Sequence, residues 1–416
     1  MRSLIGWIFV FGAGACLAHG TPVVPEDADQ ARRIEFPDTD RYRTLVLDPH
    51  THSVFSDGHV WPRIRVAEAL LDGLDAIAIT EHLEYQPHLP DLPHPDRNRA
   101  YDEAAAAAQG TELLVIRGSE ITREPPAGHI NAIFIDDANV LFRAPVLDGS
   151  AGRSVGSPGA AASGAAAFDA RDYYLRAGEW PAQAAVQAAV DQGAFVFWNH
   201  PYWSRAYPDG IPDMPDFHAD NAANGLLHGI EIANGDSYSE ETFQIALDHD
   251  LTLLGVSDVH ELIDWDYQPH LGGHRPVTLV FADEPSPAAI REALFDQRTV
   301  VWFKNLLVGR AEHLDPLLAA SLTLEGASYE GDGLLLSVAL RNHSDAEFQL
   351  TSTGGYTYVE QGDLINVPAH GVLRLRVRTP ERLDRIELEF QVLNALTAPK
   401  QNPSITLAAV VRTGVQ

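Results

Sequence analysis

Five short apolar runs in the first 260 residues lead into a histidine or an acidic residue. Residues 44–47 lead into Asp48-Pro-His-Thr-His52, and residues 75–80 run into Glu81-His82. Residues 112–116 reach Gly118-Ser-Glu120, residues 194–198 reach Asn199-His-Pro201, and residues 251–256 reach Ser257-Asp-Val-His260. Such continuous apolar runs suit strands buried on both faces of a parallel sheet. Structural polar residues would scatter along strands and helices. Ligand-type side chains collected at strand ends instead describe a site at the C-terminal edge of a sheet. Helical stretches fall between the runs at about 61–71, 180–192, 239–248 and 286–297, with an alanine-rich one ending near residue 109. Pro62 suits the first turn of its helix, where a missing N–H costs nothing. The rhythm predicts an α/β domain with a mainly parallel sheet. Seven or eight such units can close into a barrel.

The strand-end residues are His50, His52, His82, Glu120, His200, Asp258 and His260. Asp57, in the turn Ser56-Asp-Gly58, and His129, which opens the next strand, lie near them in sequence. His50 and His52 stand at i and i+2, on one side of an extended chain. Imidazoles mixed with carboxylates suit Mn, Fe or Zn, and the mixture does not choose among them. Clustered cations lower the pKa of a bridging water and give hydroxide near neutral pH.

The ordered series His-x-His with Ser-Asp-Gly, Thr-Glu-His, Gly-Ser-Glu, Gly-His, Asn-His-Pro and Ser-Asp-Val-His resembles the PHP (polymerase and histidinol phosphatase) superfamily across residues 44–305. The resemblance implies a distorted (β/α)7 TIM-like barrel with two or three divalent metal ions. It assigns His50, His52, Glu120 and Asp258 to one ion, and Asp57, His82 and His260 to a second. Glu120, His129 and His200 would hold a third. Phe55-Ser-Asp-Gly-His-Val-Trp61 and the arrangement of the chain resemble exported PHP-type phosphodiesterases of organophosphate diesters. The expected reaction is attack of a metal-bridging hydroxide on phosphorus, with Asp258 or His260 relaying the proton. Arg123 and Arg275 are candidates to grip phosphate oxygens, His59 to protonate a leaving group, and Trp203 to contact an organic ester group. A phosphomonoesterase of the nucleotide or histidinol phosphate type would use the same ions. So would a metal-dependent hydrolase of a non-phosphate ester or amide.

The net charge of −29 argues against a nucleic-acid partner, and the resemblance implies a small phosphate ester as the partner. Residues 4–18 are uncharged and mostly apolar after Arg2, too short for a comfortable membrane span. They fit a secretory signal ending near residue 20, which places the protein in the periplasm or outside the cell. The single cysteine, Cys16, lies inside that segment and is a weaker candidate for lipid anchoring. Residues 21–43 read as a polar lead-in and residues 44–310 as the barrel. Residues 144–168 are a Gly/Ala/Ser-rich insertion. From 311 to 416 short alternating segments predict a small all-β sandwich without a ligand cluster.

Overall fold

The computed structural model describes residues 32–145 and 168–412. The proposed signal segment and nearly all of the Gly/Ala/Ser insertion lie outside the described residues. The N-terminal domain is a curled, half-barrel mixed sheet. Its strands are β1 (Arg43–Asp48), β2 (Ala76–Ile79), β3 (Leu114–Thr122), β4 (His129–Ile133), β5 (Phe195–Trp198), β6 (Gly229–Asn234), β7 (Ser237–Tyr238), β8 (Thr252–Val256), β9 (Val277–Ala282), β10 (Thr299–Phe303) and β11 (Leu306–Gly309). The helices around it are α1 (Pro62–Leu71), α2 (Arg99–Ala107), α3 (Ala170–Ala177), α4 (Ala182–Val190), α5 (Asp216–Ala223), α6 (Glu240–Asp248), α7 (Ile263–Asp266), α8 (Pro287–Phe295) and α9 (Ala311–Ser321).

Among the strands β1 to β11 the parallel pairs are β1–β2, β2–β3, β5–β6 and β6–β8. Where the sequence pattern predicts a mainly parallel sheet, β3–β4–β5 and β1–β9–β10–β11 pair antiparallel. The reason for the first is local. Residues 123–128 join β3 to β4 without a helix, and a short connection returns the chain antiparallel. That reversal explains His129. It opens its strand opposite Thr122, at the same end of the sheet as Glu120.

The seam between β8 and the β9–β10 pair is closed by side chains. Thr278 Oγ1 donates to Gly255 O at 2.9 Å, and Thr299 Oγ1 to Leu253 O at 2.9 Å. A Cβ on Gly255 would lie 2.4 Å from Val301 Cγ1, so this approach requires glycine.

The chain crosses to the C-terminal domain through α9, where the sequence pattern places the start of the sandwich. Strands follow in the order β12 (Leu322–Tyr329), β13 (Leu335–Asn342), β14 (Phe348–Ser352), β15 (Thr357–Tyr358), β16 (Leu364–Val367), β17 (Val372–Arg378), β18 (Arg385–Val392), β19 (Ala395–Leu396) and β20 (Ser404–Arg412). Alternate residues of β13 and β18 are buried, as a half-solvated sheet requires. Leu336, Val338 and Leu340 of β13 share one core with Ile386, Leu388 and Phe390 of β18, although the two strands are not paired. That core runs on through Leu314 and Leu317 of α9 to Trp302, Val46 and Ile77 of the barrel. Strand β19 leaves the sandwich and pairs in parallel with β11, Leu307 opposite Ala395, extending the barrel sheet.

Candidate metal centre

The strand ends converge as their spacing implied. His50 Nε2 lies 2.9 Å from His52 Nε2, and each is 3.1 Å from Glu120 Oε2. Asp258 Oδ1 is 3.2 Å from His50 Nε2 and 3.0 Å from His52 Nε2. Ligands about 2.1 Å from a common ion stand roughly 3.0–3.4 Å apart for octahedral to tetrahedral angles. The separations of 2.9–3.2 Å of the two histidine nitrogens from each other, from Glu120 and from Asp258 lie close to that edge length. Asp57 Oδ1 lies 3.1 Å from His260 Nε2 and 3.4 Å from His82 Nε2. Glu120 Oε1 is 2.6 Å from His129 Nδ1, and Glu120 Oε2 is 3.2 Å from His82 Nδ1.

These residues form three overlapping groups able to hold an ion: His52, Asp57, His82 and His260; His50, His52 and Asp258; and His82, Glu120 and His129. Relative to the expected sets, His52 joins the group of Asp57, His82 and His260, Glu120 is not grouped with His50, His52 and Asp258, and His82 stands with Glu120 and His129 in the place assigned to His200. The His200 ring centroid is 5.0 Å from that of His129, and its Nε2 is 3.9 Å from Asp258 Oδ2. Asp57 Oδ1, Glu120 Oε1 and His129 Nδ1 are buried, and their close contacts with one another and with His260 and His82 lack hydrogen-bond geometry, which is costly unless a cation between them satisfies them. The donor set therefore fits divalent metal ions.

Local structure delivers each side chain. Gly58 closes the turn that returns Asp57 over the histidines, its N–H donating to Ser53 O at 3.0 Å. A Cβ there would lie 2.8 Å from Ser53 N. His82 and Glu120 face each other in an isolated parallel bridge, and Thr51 bridges Val259 in the same way. His200 (φ 27°) and Asp258 (φ 50°) occupy the left-handed region just past β5 and β8. That strain marks sites where the surroundings over-determine the backbone.

Electrostatics favour positive charge here, whether carried by protons or by ions. Burial works against a charged His50, yet Asp258, Glu231 and Glu120 outweigh it and hold its pKa well above the usual value. Burial is likewise overcome at His260, pushed up to about 9 by Asp57 and Asp258. The carboxyls of Asp57 and Asp258 are held far below the usual range despite burial, by the histidines around them. His200, with burial and the neighbouring His129 against its charge, drops to about 3.

A supporting layer lies behind the ligands, outside the sequence motifs. Glu231 of β6 accepts from His50 Nδ1 at 2.7 Å, from His200 N at 2.7 Å and from Asn234 Nδ2 at 2.9 Å. The first of these bonds fixes the His50 tautomer whose Nε2 lone pair faces the cluster. Arg65 is buried and ties two ligand loops together, donating to His52 O at 2.8 Å and Val259 O at 3.2 Å while pairing with Glu68 at 2.7 Å. The available signal for Glu231 was a carboxylate inside the apolar run Gly229-Ile-Glu-Ile-Ala233, since an unpaired acid is rarely fully buried.

A cavity of about 730 Å³ opens over the cluster, lined also by Tyr85, Arg171, Tyr174, Tyr202, Trp203 and Arg205. Trp203 lies where expected, its ring centroid 5.1 Å from that of His129. The two arginines expected to grip phosphate do not line this cavity. Arg275 is buried against Asp48 at 3.0 Å, the last residue of β1, and Asp72 at 2.6 Å, and these two carboxylates take up its guanidinium. Arg123 pairs with the buried Glu84 and faces a separate, smaller cavity. His59 stands outside the cavity lining, half exposed and 2.5 Å from Glu261 Oε1.

A histidine–carboxylate cluster over the strand ends of an α/β sheet, matched to divalent ions, defines a metal-dependent hydrolase. Solved structures specify it further. A two-domain protein containing a predicted PHP-like metal-dependent phosphoesterase, from Bacteroides vulgatus, is 35% identical with a TM-score of 0.76, and the match covers 91% of this chain and 98% of that one. The chain belongs to this family of PHP-like metal-dependent phosphoesterases. A proposed metal-dependent phosphoesterase from Bifidobacterium adolescentis is 20% identical with a TM-score of 0.35, over 52% of this chain and 88% of that one. An amidohydrolase from Chromobacterium violaceum with bound sulfate is 20% identical with a TM-score of 0.33, over 52% of this chain and 87% of that one. A family model described as an Ig-like domain matches residues 322–408. No curated protein matches the chain.

Proposed function

We propose that the protein is an exported phosphodiesterase that hydrolyses small phosphate diesters with two or three divalent ions, Mn, Fe or Zn. The observation that carries this reading is the convergence of His50, His52, Glu120 and Asp258 beside Asp57, His82, His260 and His129 under one open cavity. Water adds through oxygen to phosphorus, the P–O bond to one ester group breaks, and the departing alkoxide takes up a proton. The ions would supply activated water and neutralise charge on the phosphoryl oxygens. His260 directs Nε2 toward Asp57, and its Nδ1 donates to Asp258 O at 2.7 Å, so both its nitrogens are used. Asp258 is engaged in the same way, Oδ1 against His50 and His52 and Oδ2 accepting from Asn234 at 3.0 Å, so the proton relay rests with one of these two cavity-lining residues, Asp258 or His260.

Diester preference is supported by the sites of Arg123 and Arg275, whose charges are neutralised by Glu84, Asp48 and Asp72 away from the cluster. A dianionic monoester would call for more positive charge at phosphorus. Manganese-loaded protein should hydrolyse bis(p-nitrophenyl) phosphate much faster than p-nitrophenyl phosphate, with activity abolished in His50→Ala and Asp258→Ala. Monoester preference would replace this reading with a phosphatase, and turnover of neither would remove the phosphoester substrate. Export rests on the apolar run at residues 4–18 behind Arg2. Fractionation of cells expressing the tagged chain tests it, and retention in the cytoplasm would reject it.

A further inference from the structure

The cavity lining is sharply selected in charge for a chain of net charge −29. Among the described residues, its only carboxylates are Asp57 and Asp258, both members of the metal cluster. Its remaining formal charges, histidines aside, are Arg171 and Arg205. These arginines are not equivalent. Arg205 is compensated by Glu124 at 2.9 Å and lies over the Trp203 ring, 5.6 Å from its centroid. Arg171 is exposed, and no carboxylate pairs with its guanidinium among the described residues.

Aromatic rings connect the cluster to Arg171. The Tyr85 ring centroid is 6.0 Å from that of His82 and 6.2 Å from that of Tyr174. Tyr174 and Arg171 are three residues apart on α3, hence on one helical face, and both line the cavity. The Tyr85 and Tyr174 rings thus form an aromatic wall running from the His82 side of the cluster to the helix that carries Arg171. The space far exceeds what a phosphate needs.

We propose that Arg171 is a specificity residue that binds a second anionic group, a carboxylate or a further phosphate, on the organic part of the substrate. The substrate class is then a phosphate diester with one ester arm ending in an anion and an apolar or aromatic spacer along Tyr85, Tyr174 and Trp203. This rests on the phosphodiesterase reading of the site and deepens it. Guanidinium suits either anion through paired N–H donors.

The test uses p-nitrophenyl alkyl phosphates of increasing chain length, with the same leaving group throughout. Each alkyl arm ends in a methyl, a carboxylate or a phosphonate. In the wild type, kcat/KM for the anionic arm should exceed that of its methyl counterpart by about tenfold or more at the matching length. Arg171→Gln should remove that advantage while leaving methyl-terminated substrates unchanged, and Arg171→Lys should retain part of it. The better of the carboxylate and phosphonate arms identifies the anion. Good turnover of the methyl series without an anionic advantage would overturn this assignment and leave the diesterase intact. An equal loss on all substrates in Arg171→Gln would also overturn it, by placing the residue at the scissile phosphate or in the fold. No turnover of any diester would remove the diesterase reading and this assignment together.

Discussion

Replacing Glu231 with glutamine changes one atom's identity, yet no orientation of the new amide satisfies the site. Glu231 Oε1 accepts from His50 Nδ1, while Oε2 accepts from His200 N and Asn234 Nδ2. If the amide nitrogen takes the Oε2 position, it opposes two donors. Asn234 still has Asp258 Oδ2 at 3.0 Å, but the His200 N–H is orphaned. If the amide nitrogen takes the Oε1 position, His50 must accept through Nδ1. Its proton then moves to Nε2, the atom that faces His52, Glu120 and Asp258. Either way the metal cluster loses support, and one negative charge beneath it disappears. Removing such a partner lowers metal affinity about 10- to 100-fold, or roughly 1.4–2.7 kcal/mol. Chelator-competition titration of Mn or Zn into wild type and Glu231→Gln at one pH reads this directly. A dissociation constant within twofold of wild type, with unchanged turnover, would refute the tautomer argument.

Other consequences can be checked by unfolding. Arg65→Met leaves Glu68 without its buried partner and removes the donors to His52 O and Val259 O; a loss of about 3–5 kcal/mol is expected in denaturant titration. Gly255→Ala forces a methyl against Val301 and should cost about 1–3 kcal/mol, read as a lowered Tm. His218 is buried beside Trp198, ring centroids 4.1 Å apart, and burial lowers its pKa to about 3. Between about pH 6.5 and 3 the unfolded chain takes up a proton there that the folded chain refuses, so stability falls as the pH drops through that window, by up to about 1.4 kcal/mol per pH unit. His218→Gln should flatten the acid limb of a stability–pH curve by that amount, and an unchanged limb would contradict the assignment.

The parts of this molecule that could be read in sequence are those in which chemistry follows a strand in register. His50, His52, His82, Glu120 and Asp258 sit just past or at the end of apolar runs, so their convergence follows once the runs align. Strand direction was harder to read, because β3 and β4 are reversed by a few turn residues that leave the apolar pattern unchanged. Arg123 and Arg275 lie away from the cavity although both stand near ligand motifs in sequence, because such nearness does not say which way a side chain points. The partners that bury Arg275, Asp48 and Asp72, lie more than 200 residues away. Glu231 was hidden within a strand, where its role depends on neighbours brought by other elements. The helix at Ala311–Ser321 likewise owes its place to the core it shares with both domains, which no local window contains.

The pairing of β19 with β11 sets an order of events during synthesis. The barrel sheet ends at an open edge on β11 until residues Ala395–Leu396 have left the ribosome, after nearly all of the second domain. An unpaired strand edge is a template for mispairing with other chains. The nascent sheet therefore carries a sticky border from the completion of β11 at Gly309 until Ala395 is made, and its protection comes from near the end of the same chain. A chain truncated before residue 395 would keep every candidate metal ligand and still be prone to self-association.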